Sequence, residues 1–180
     1  IWITNDNQTT TKVGIGINPS KGSVNNVTVA NNVLVSTDTN IALAISVYSL
    51  ATAAISNILV TGNNIQGFTQ GVKVGFASGQ ACDNVGVTNN LIKVTTTTGT
   101  PTNVFGVYLP GPVGTVSIES NKFSGTAASF IYTESTLTAT TLRLSNNSGA
   151  GTFTNGINLT TNSNVTNLAM DNNDFVLATT

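Results

Sequence analysis

Five side chains in this sequence have the chemistry needed to bind a sugar: Lys73, Tyr108, Tyr132, Glu134 and Asn158. Tyrosine rings pack against the apolar face of a ring-shaped ligand, and charged or amide groups hydrogen bond with its hydroxyls. Four of the five directly follow an aliphatic residue in similar short segments, and Glu134 lies two residues beyond Tyr132. The full series of such positions is Gly16, Ala42, Lys73, Tyr108, Tyr132 and Asn158. We expect one outward-facing column that binds a glycan, or, alternatively, a tyrosine contact that only stabilises a sheet.

A pair of carboxylates is the second candidate for chemistry. Glu119 and Asp171 occupy the same position in copies of a repeat that are two copies apart, and Arg143 lies in the copy between them. If the copies stack at about 4.8 Å, the two carboxylates are about 9.6 Å apart, near the upper separation for an inverting glycosidase. An exposed Glu119–Arg143 ion pair is the simpler expectation. The sequence contains no convincing catalytic constellation, so enzymatic activity stays an open alternative, with a polysaccharide depolymerase as the enzyme.

Composition excludes several functional classes. The chain has 180 residues, with 6 Lys plus Arg, 7 Asp plus Glu and no histidine. Without histidine there is no imidazole base or ligand, and without a surplus of basic residues nucleic-acid binding is not expected. The single Cys82 lacks partners for an internal disulfide or a zinc site, so we expect no metal ion and no cofactor. The uncharged stretch 41–60 is interrupted by polar residues such as Ser46 and Ser49, which argues against a membrane span.

A repeat marks the elements that must position these side chains. An eight-residue phrase (apolar, any, apolar, any, any, Asn, any, usually apolar) occurs as VTVANNVL, ILVTGNNI, VGVTNNLI, VSIESNKF, LRLSNNSG and LAMDNNDF. A further copy, IWITNDNQ, has Asp6 in the Asn position. The copies begin at Ile1, Val27, Ile58, Val85, Val116, Leu142 and Leu168, which lie 26 to 31 residues apart. A period of this length indicates stacked supersecondary units.

Each phrase predicts a strand followed by a bend. Its first and third residues are apolar and often β-branched, which is typical of a strand with one buried face, and the Asn-rich pair favours a left-handed bend. If the copies stack in register, the amides at the sixth position form a ladder in which each hydrogen bonds with the next. The ladder positions after Asp6 are Asn32, Asn63, Asn90, Asn121, Asn147 and Asn173.

A second strand is expected after each bend, beginning at Ile15, Ile41, Val72, Val107, Ile131 and Ile157. Extra loops are expected at Thr95–Pro101 and Val47–Ala54. With two or three strands per turn running in the same direction, the sequence predicts an all-β fold: a right-handed single-stranded parallel β-helix of about seven turns. We expect residues 1–180 to form one such domain and to be a piece of a longer protein. A β-sandwich is the alternative, but its antiparallel strands would not place equivalent asparagines once per turn.

The pattern V-x-I-x-x-N-x-I followed by G-I/V-x-V/L resembles the repeat of pectate-lyase-like parallel β-helix proteins, over nearly the whole chain. The Asn-, Thr- and Gly-rich, charge-poor composition is most similar to a bacteriophage tailspike or tail-fibre module. That resemblance implies a homotrimer, located on a virion or outside the cell, that binds a bacterial surface glycan. The sequence departs from the enzymes of this group, because it has neither the Asp cluster of the lyases nor the paired Asp and His motif of the hydrolases.

Three functional hypotheses follow from the residues and the resemblance. The first is recognition of bacterial surface polysaccharide by the second-strand face and the loop Thr95–Pro101. The second is a polysaccharide-degrading enzyme, a glycoside hydrolase or lyase. The third is a purely structural shaft or adhesin stalk. Glycan binding and the release of new sugar ends distinguish the three.

Overall fold

The computed structural model describes residues 12–19, 22–37, 42–49, 53–76, 81–95, 103–161 and 163–177. These residues form sixteen strands and no helix. The strands are β1 (Lys12–Ile17), β2 (Val24–Ala30), β3 (Val33–Val35), β4 (Ala42–Val47), β5 (Ile55–Thr61), β6 (Asn64–Phe68), β7 (Gln70–Val74), β8 (Cys82–Thr88), β9 (Leu91–Val94), β10 (Phe105–Leu109), β11 (Val113–Glu119), β12 (Lys122–Thr133), β13 (Thr138–Ser145), β14 (Ser148–Leu159), β15 (Asn164–Asp171) and β16 (Asp174–Leu177).

Every strand pairs in parallel with the equivalent strand of the turn before or after it. One sheet has six strands in the order β15-β13-β11-β8-β5-β2. Its register aligns the repeat phrases residue by residue, so that Val27 is opposite Ile58 and Val29 is opposite Val60. This is the predicted parallel β-solenoid. The β-sandwich alternative is wrong, because no strand pair among the described residues is antiparallel.

Each turn contains three strands, which stack into three columns. The first column is the six-stranded sheet, made by the repeat phrases. The second column is β3, β6, β9, the first half of β12, the first half of β14, and β16. The third column is β1, β4, β7, β10 and the second halves of β12 and β14. Chain bends with positive φ at Gly67 and Gly125 join the second column to the third, where a residue with a Cβ would be strained.

The number of turns predicted from the sequence was too high. The structure has about five turns rather than about seven. Each phrase marks only the first strand of a turn, whereas a complete turn needs all three columns. The copy at residues 1–8, with Asp6, lies outside the described residues. The copy that begins at Leu168 contributes β15 and β16 without a described third strand.

The asparagine ladder is confirmed. The backbone N–H and the side-chain amide of Asn90 both donate to Oδ1 of Asn121, at 3.0 and 2.9 Å, and Asn121 donates to Asn147 in the same way. The remaining amide hydrogen donates to a first-column carbonyl of the preceding turn, such as Val87 O for Asn121 at 2.8 Å. The ladder runs through Asn32, Asn63, Asn90, Asn121, Asn147 and Asn173. From Asn63 to Asn147 these polar side chains are almost completely buried.

The residue before each ladder asparagine makes the bend. Asn31, Asn89 and Asn146 have φ of 57°, 55° and 54°, and Gly62 and Ser120 take the same conformation. Asparagine and glycine tolerate this left-handed region better than other residues. The Asn-Asn dipeptide therefore has two roles, since its first member turns the chain while its second member points inward and joins the ladder.

Aliphatic side chains from the three columns fill the interior, including Ile58, Val85 and Ile118 of the first column. Small residues at the start of the third column leave room for larger side chains opposite. A Cβ added to Gly71 would lie 2.6 Å from Ile92, and one added to Gly106 would lie 2.5 Å from the Phe123 ring. The size of these residues therefore controls how closely the columns approach one another.

We expect the ladder to contribute strongly to stability. Asn121→Ala should lower the free energy of unfolding by roughly 3–5 kcal/mol, because the buried N–H groups of Asn90 and the carbonyl of Val87 lose their partner. Asn89→Gly is the matched control. Asn89 is exposed with positive φ, so this change should alter the free energy by less than about 0.5 kcal/mol. Urea unfolding measures both variants, and equal losses would contradict the role of the ladder.

Candidate ligand-binding surface

The outward positions of the third column carry the predicted binding residues. The register aligns Lys73 with Tyr108, Tyr108 with Tyr132, and Tyr132 with Asn158. These four side chains therefore follow one another on successive turns, as the sequence predicts. Whether any of them binds a glycan stays a prediction.

One position of the predicted column was wrong. Ser46, and not Ala42, is aligned with Gly16 and Lys73. The third strand of this turn starts at Ala42 and pairs Ile45 with Val72, so counting from Ile41 placed the column four residues early. Ser46 is fully buried, and its Oγ has no hydrogen-bond partner among the residues that the structure describes.

Three aromatic rings form a continuous group at the middle of this column. The rings of Tyr132 and Phe105 are parallel, with an interplanar angle of 4° and centroids 4.3 Å apart. Tyr108 packs beside both, with centroid distances of 5.0 Å to Phe105 and 5.9 Å to Tyr132. Offset ring contacts of this kind contribute about 0.5–1.5 kcal/mol beyond their buried area. The expected Tyr108–Tyr132 contact is present, and Phe105 is a third member that the sequence reasoning did not predict.

Lys73 continues the group toward the preceding turn. Its Nζ lies 4.7 Å from the ring centroid of Phe76, 5.5 Å from that of Tyr48 and 5.9 Å from that of Tyr108. Tyr48 and Phe76 stack on each other with centroids 5.5 Å apart. Ring faces attract a nearby cation electrostatically. Burial lowers the pKa of Lys73, because its ammonium loses hydration that the rings only partly replace.

Glu134 closes the opposite end of the group. The Tyr108 hydroxyl donates a hydrogen bond of 2.7 Å to Oε1 of Glu134. The Glu134 backbone N–H donates to the carbonyl of Leu109 at 3.0 Å, which holds the residue at the end of β12. Tyr132 and Glu134 therefore lie on one face of the chain, as predicted, and Glu134 is also hydrogen bonded to Tyr108 on the neighbouring turn.

We call these seven residues the aromatic patch: Tyr48, Lys73, Phe76, Phe105, Tyr108, Tyr132 and Glu134. The patch covers four successive turns, with Asn158 beside Tyr132 on the next strand. Sequence reasoning missed Tyr48, Phe76 and Phe105. Tyr48 lies two residues beyond Ser46, a position equivalent to Glu134 beside Tyr132, and the incorrect alignment of β4 concealed this equivalence. Phe105 precedes Tyr108 by three residues, so strand alternation alone did not place it with the tyrosines.

The pKa values of both tyrosines are affected by this environment. The pKa of Tyr108 is raised, first because burial disfavours the charged phenolate and then because its hydroxyl donates to the Glu134 carboxylate. Burial and the charge of Glu134 also raise the pKa of Tyr132. The two tyrosines therefore keep their protons well above neutral pH, so Tyr108 continues to donate to Glu134 and the Tyr132 hydroxyl stays neutral.

The candidate catalytic carboxylates have a different surrounding from the one predicted. Glu119 is aligned with Ser145, and Ser145 with Asp171, so a serine lies between the two carboxylates. Arg143 is aligned with Ser117, two residues from the Glu119 register, and forms no ion pair among the described residues. The expected Glu119–Arg143 pair was therefore wrong. Both residues lie on the outer face of the first column, but at register positions two residues apart.

The other features of the described chain offer no additional reactive centre. Cys82 is fully buried, and burial raises the pKa of its thiol to about 11. Its Sγ lies 3.6 Å from the carbonyl of Val47, so it is a packed core residue. Within the described ranges, no cluster of three or more His, Cys, Asp or Glu residues could hold a metal ion. The same part of the chain contains no helix with the length and hydrophobicity that crossing a membrane requires.

An open cavity of about 460 Å³ lies over the last described turn, where a further turn would stack. Its lining includes Phe153, Ile157, Met170, Asn173 and Phe175. These residues continue the interior column and the ladder of the solenoid. The cavity therefore belongs to the core at the last described turn.

Comparison with known proteins identifies no relative. The chain matches no protein-family model, no curated protein and no solved structure. The solenoid is thus established by its strand pairing and ladder alone, and the resemblance to pectate-lyase-like proteins extends only to the parallel β-solenoid fold.

The link between Tyr108 and Glu134 gives a direct test of this geometry. In Glu134→Gln the phenolate of Tyr108 no longer faces a negative charge, so its pKa should fall while burial still keeps it above the usual tyrosine value. Tyrosinate absorbance in a pH titration measures this shift. The part of the titration curve that is lost in Tyr108→Phe belongs to Tyr108. Gln66→Glu, a charge change on β6 outside the patch, is the control. An unchanged Tyr108 titration in Glu134→Gln would contradict the contact.

Proposed function

We propose that this β-solenoid recognises a bacterial surface polysaccharide through the aromatic patch. The observation that carries the proposal is the group of Tyr108, Tyr132 and Phe105, flanked by Lys73 at one end and Glu134 at the other. Sugar rings present apolar faces and a rim of hydroxyls. Tyr108 and Tyr132 are partly exposed and offer the complementary aromatic surface and hydrogen-bonding groups, while the buried Phe105 supports the Tyr132 ring.

The solenoid supports this function by holding the patch rigidly. Four turns contribute side chains, and each turn is fixed to the next by parallel pairing and by the buried ladder. A surface that is already ordered loses little conformational entropy when a ligand binds. The extended column also suits a polymer, because successive sugar units can contact successive turns.

The biological setting of the proposal is a virion tailspike-like or tail-fibre module, or another extracellular receptor-binding protein. This setting is supported by the likeness of the repeat and of the Asn- and Thr-rich, charge-poor composition to such modules. We extend the proposal to a homotrimer. Sedimentation equilibrium of the purified chain tests that assembly, since three chains and one chain differ threefold in mass.

Binding to a panel of purified capsular polysaccharides and lipopolysaccharides tests the proposed function. Tyr132→Ala should weaken binding about tenfold or more, because the ring that stacks on Phe105 and faces the ligand is lost. Tyr132→Phe should retain most of the affinity, since it keeps the ring. Leu91→Ala, at an exposed position of the second column, is the control for unspecific surface effects.

Three outcomes separate the functional alternatives in that experiment. Binding that depends on Tyr132 without any change in the glycan supports recognition. New reducing ends or unsaturated sugars in the incubated glycan would instead mean a depolymerase. If no glycan in the panel binds, the proposed function is wrong and a structural shaft is favoured. If Tyr132→Ala binds as well as the unmodified chain, the aromatic patch is not the binding surface and the proposal is wrong.

A further inference from the structure

Lys73 brings to the aromatic patch a positive charge that pairs with no carboxylate of the described residues. Its ammonium is surrounded by the rings of Tyr48, Phe76 and Tyr108. Loss of hydration is the cause of its altered pKa, and no carboxylate of the described residues offsets the charge. Glu134 is the one carboxylate of the patch, and it accepts a hydrogen bond from the hydroxyl of Tyr108. A half-buried cation with this environment gains more from an anionic partner than a fully hydrated lysine does.

The charges of the patch are separated along the axis of the solenoid. Lys73 lies on β7 and Glu134 directly follows β12, and these strands are two turns apart because β7 pairs with β10 and β10 pairs with β12. From the spacing of paired strands, their backbone positions differ by about 9.6 Å along the axis. Tyr108 lies on the turn between them, and Tyr132 is on the same turn as Glu134. One end of the patch therefore attracts a negative group, and the other end repels one and accepts hydrogen bonds.

From this arrangement we infer that the glycan is acidic. It carries a carboxylate, sulfate or phosphate group that binds the Lys73 ammonium. Uncharged sugar units stack on Tyr108 and Tyr132, and their hydroxyls donate hydrogen bonds to Glu134. This inference rests on the proposed function and adds the substrate class and an orientation. The anionic substituent lies toward β7, and the neutral units lie toward β12.

A matched pair of glycans tests the inference directly. Each capsular polysaccharide that contains uronic acid is compared with the same polymer after carbodiimide activation and borohydride reduction, which convert its carboxylates to hydroxymethyl groups without changing the backbone. The unmodified chain should bind the native polymer at least about tenfold more tightly than the reduced polymer, because a charge-assisted hydrogen bond is lost. Lys73→Met keeps the apolar stem of the side chain and should bind the two polymers equally. Lys73→Arg should retain the preference.

Three controls separate the effect of Lys73 from other surface charge, from misfolding and from binding that needs no sugar. Lys93→Met removes an exposed lysine of β9, outside the patch, and should leave the preference unchanged. Circular dichroism shows whether Lys73→Met is folded, and if it is not, Lys73→Gln replaces it. Poly(L-glutamate) supplies negative charge without sugar rings and should not bind.

The outcomes distinguish this inference from the function on which it rests. If native and reduced polymers bind equally and binding still depends on Tyr132, the glycan site stands and the inference of an acidic ligand is wrong. If no polymer binds, both are wrong. Equal binding of poly(L-glutamate) would also overturn the inference, because negative charge without a sugar would then suffice. A preference that Lys73→Met retains would overturn it too, because the anion would then bind elsewhere.

Discussion

The buried asparagine ladder is the interaction on which the rest of the structure depends. Each amide accepts from the turn before it and donates to the turn after it, and it also satisfies a first-column carbonyl. A buried amide without partners costs about 1–3 kcal/mol, so a displaced turn would be penalised at every ladder position it leaves. A slip of one residue would in addition turn the apolar face of a strand outward. The ladder therefore fixes the register of all three columns.

Register is also what creates the candidate site. Lys73, Tyr108 and Tyr132 are separated in the sequence, yet parallel pairing stacks them on successive turns. The aromatic patch contains one cation and one carboxylate, and each of them contacts aromatic side chains. Aromatic rings lie close to the ammonium of Lys73, while burial and then the carboxylate of Glu134 raise the pKa of Tyr108. The strands that carry these side chains are fixed by parallel pairing, so we expect little rearrangement of the patch when a ligand binds.

The sequence was sufficient for features that recur once per turn, and insufficient for features that occur once. The ladder residues and the inward first-column residues were predicted because they repeat in a constant register. The alignment of β4 was predicted incorrectly because its turn has a different length. The prediction therefore placed Ala42 at the outward position that Ser46 occupies, and it did not include Tyr48. The strands of the second column were not predicted as separate elements, because they are short and directly follow the repeat phrase.

Contacts between side chains on neighbouring turns, such as Phe105 with Tyr132, depend on the direction in which each side chain points. The periodicity of the sequence does not specify that direction. The loop residues 96–102 lie outside the described residues, so their expected role stays a prediction.

Hydrogen exchange of the asparagine side-chain amides tests the central claim most directly. By NMR, the carboxamide protons of Asn63, Asn90, Asn121 and Asn147 should exchange far more slowly than those of exposed asparagines such as Asn31 and Asn89, because both hydrogens of each ladder amide are bonded inside the solenoid. Slow exchange confined to these positions is the predicted result. Ladder amides that exchange as fast as the exposed ones would show that the turns are not held together in this way.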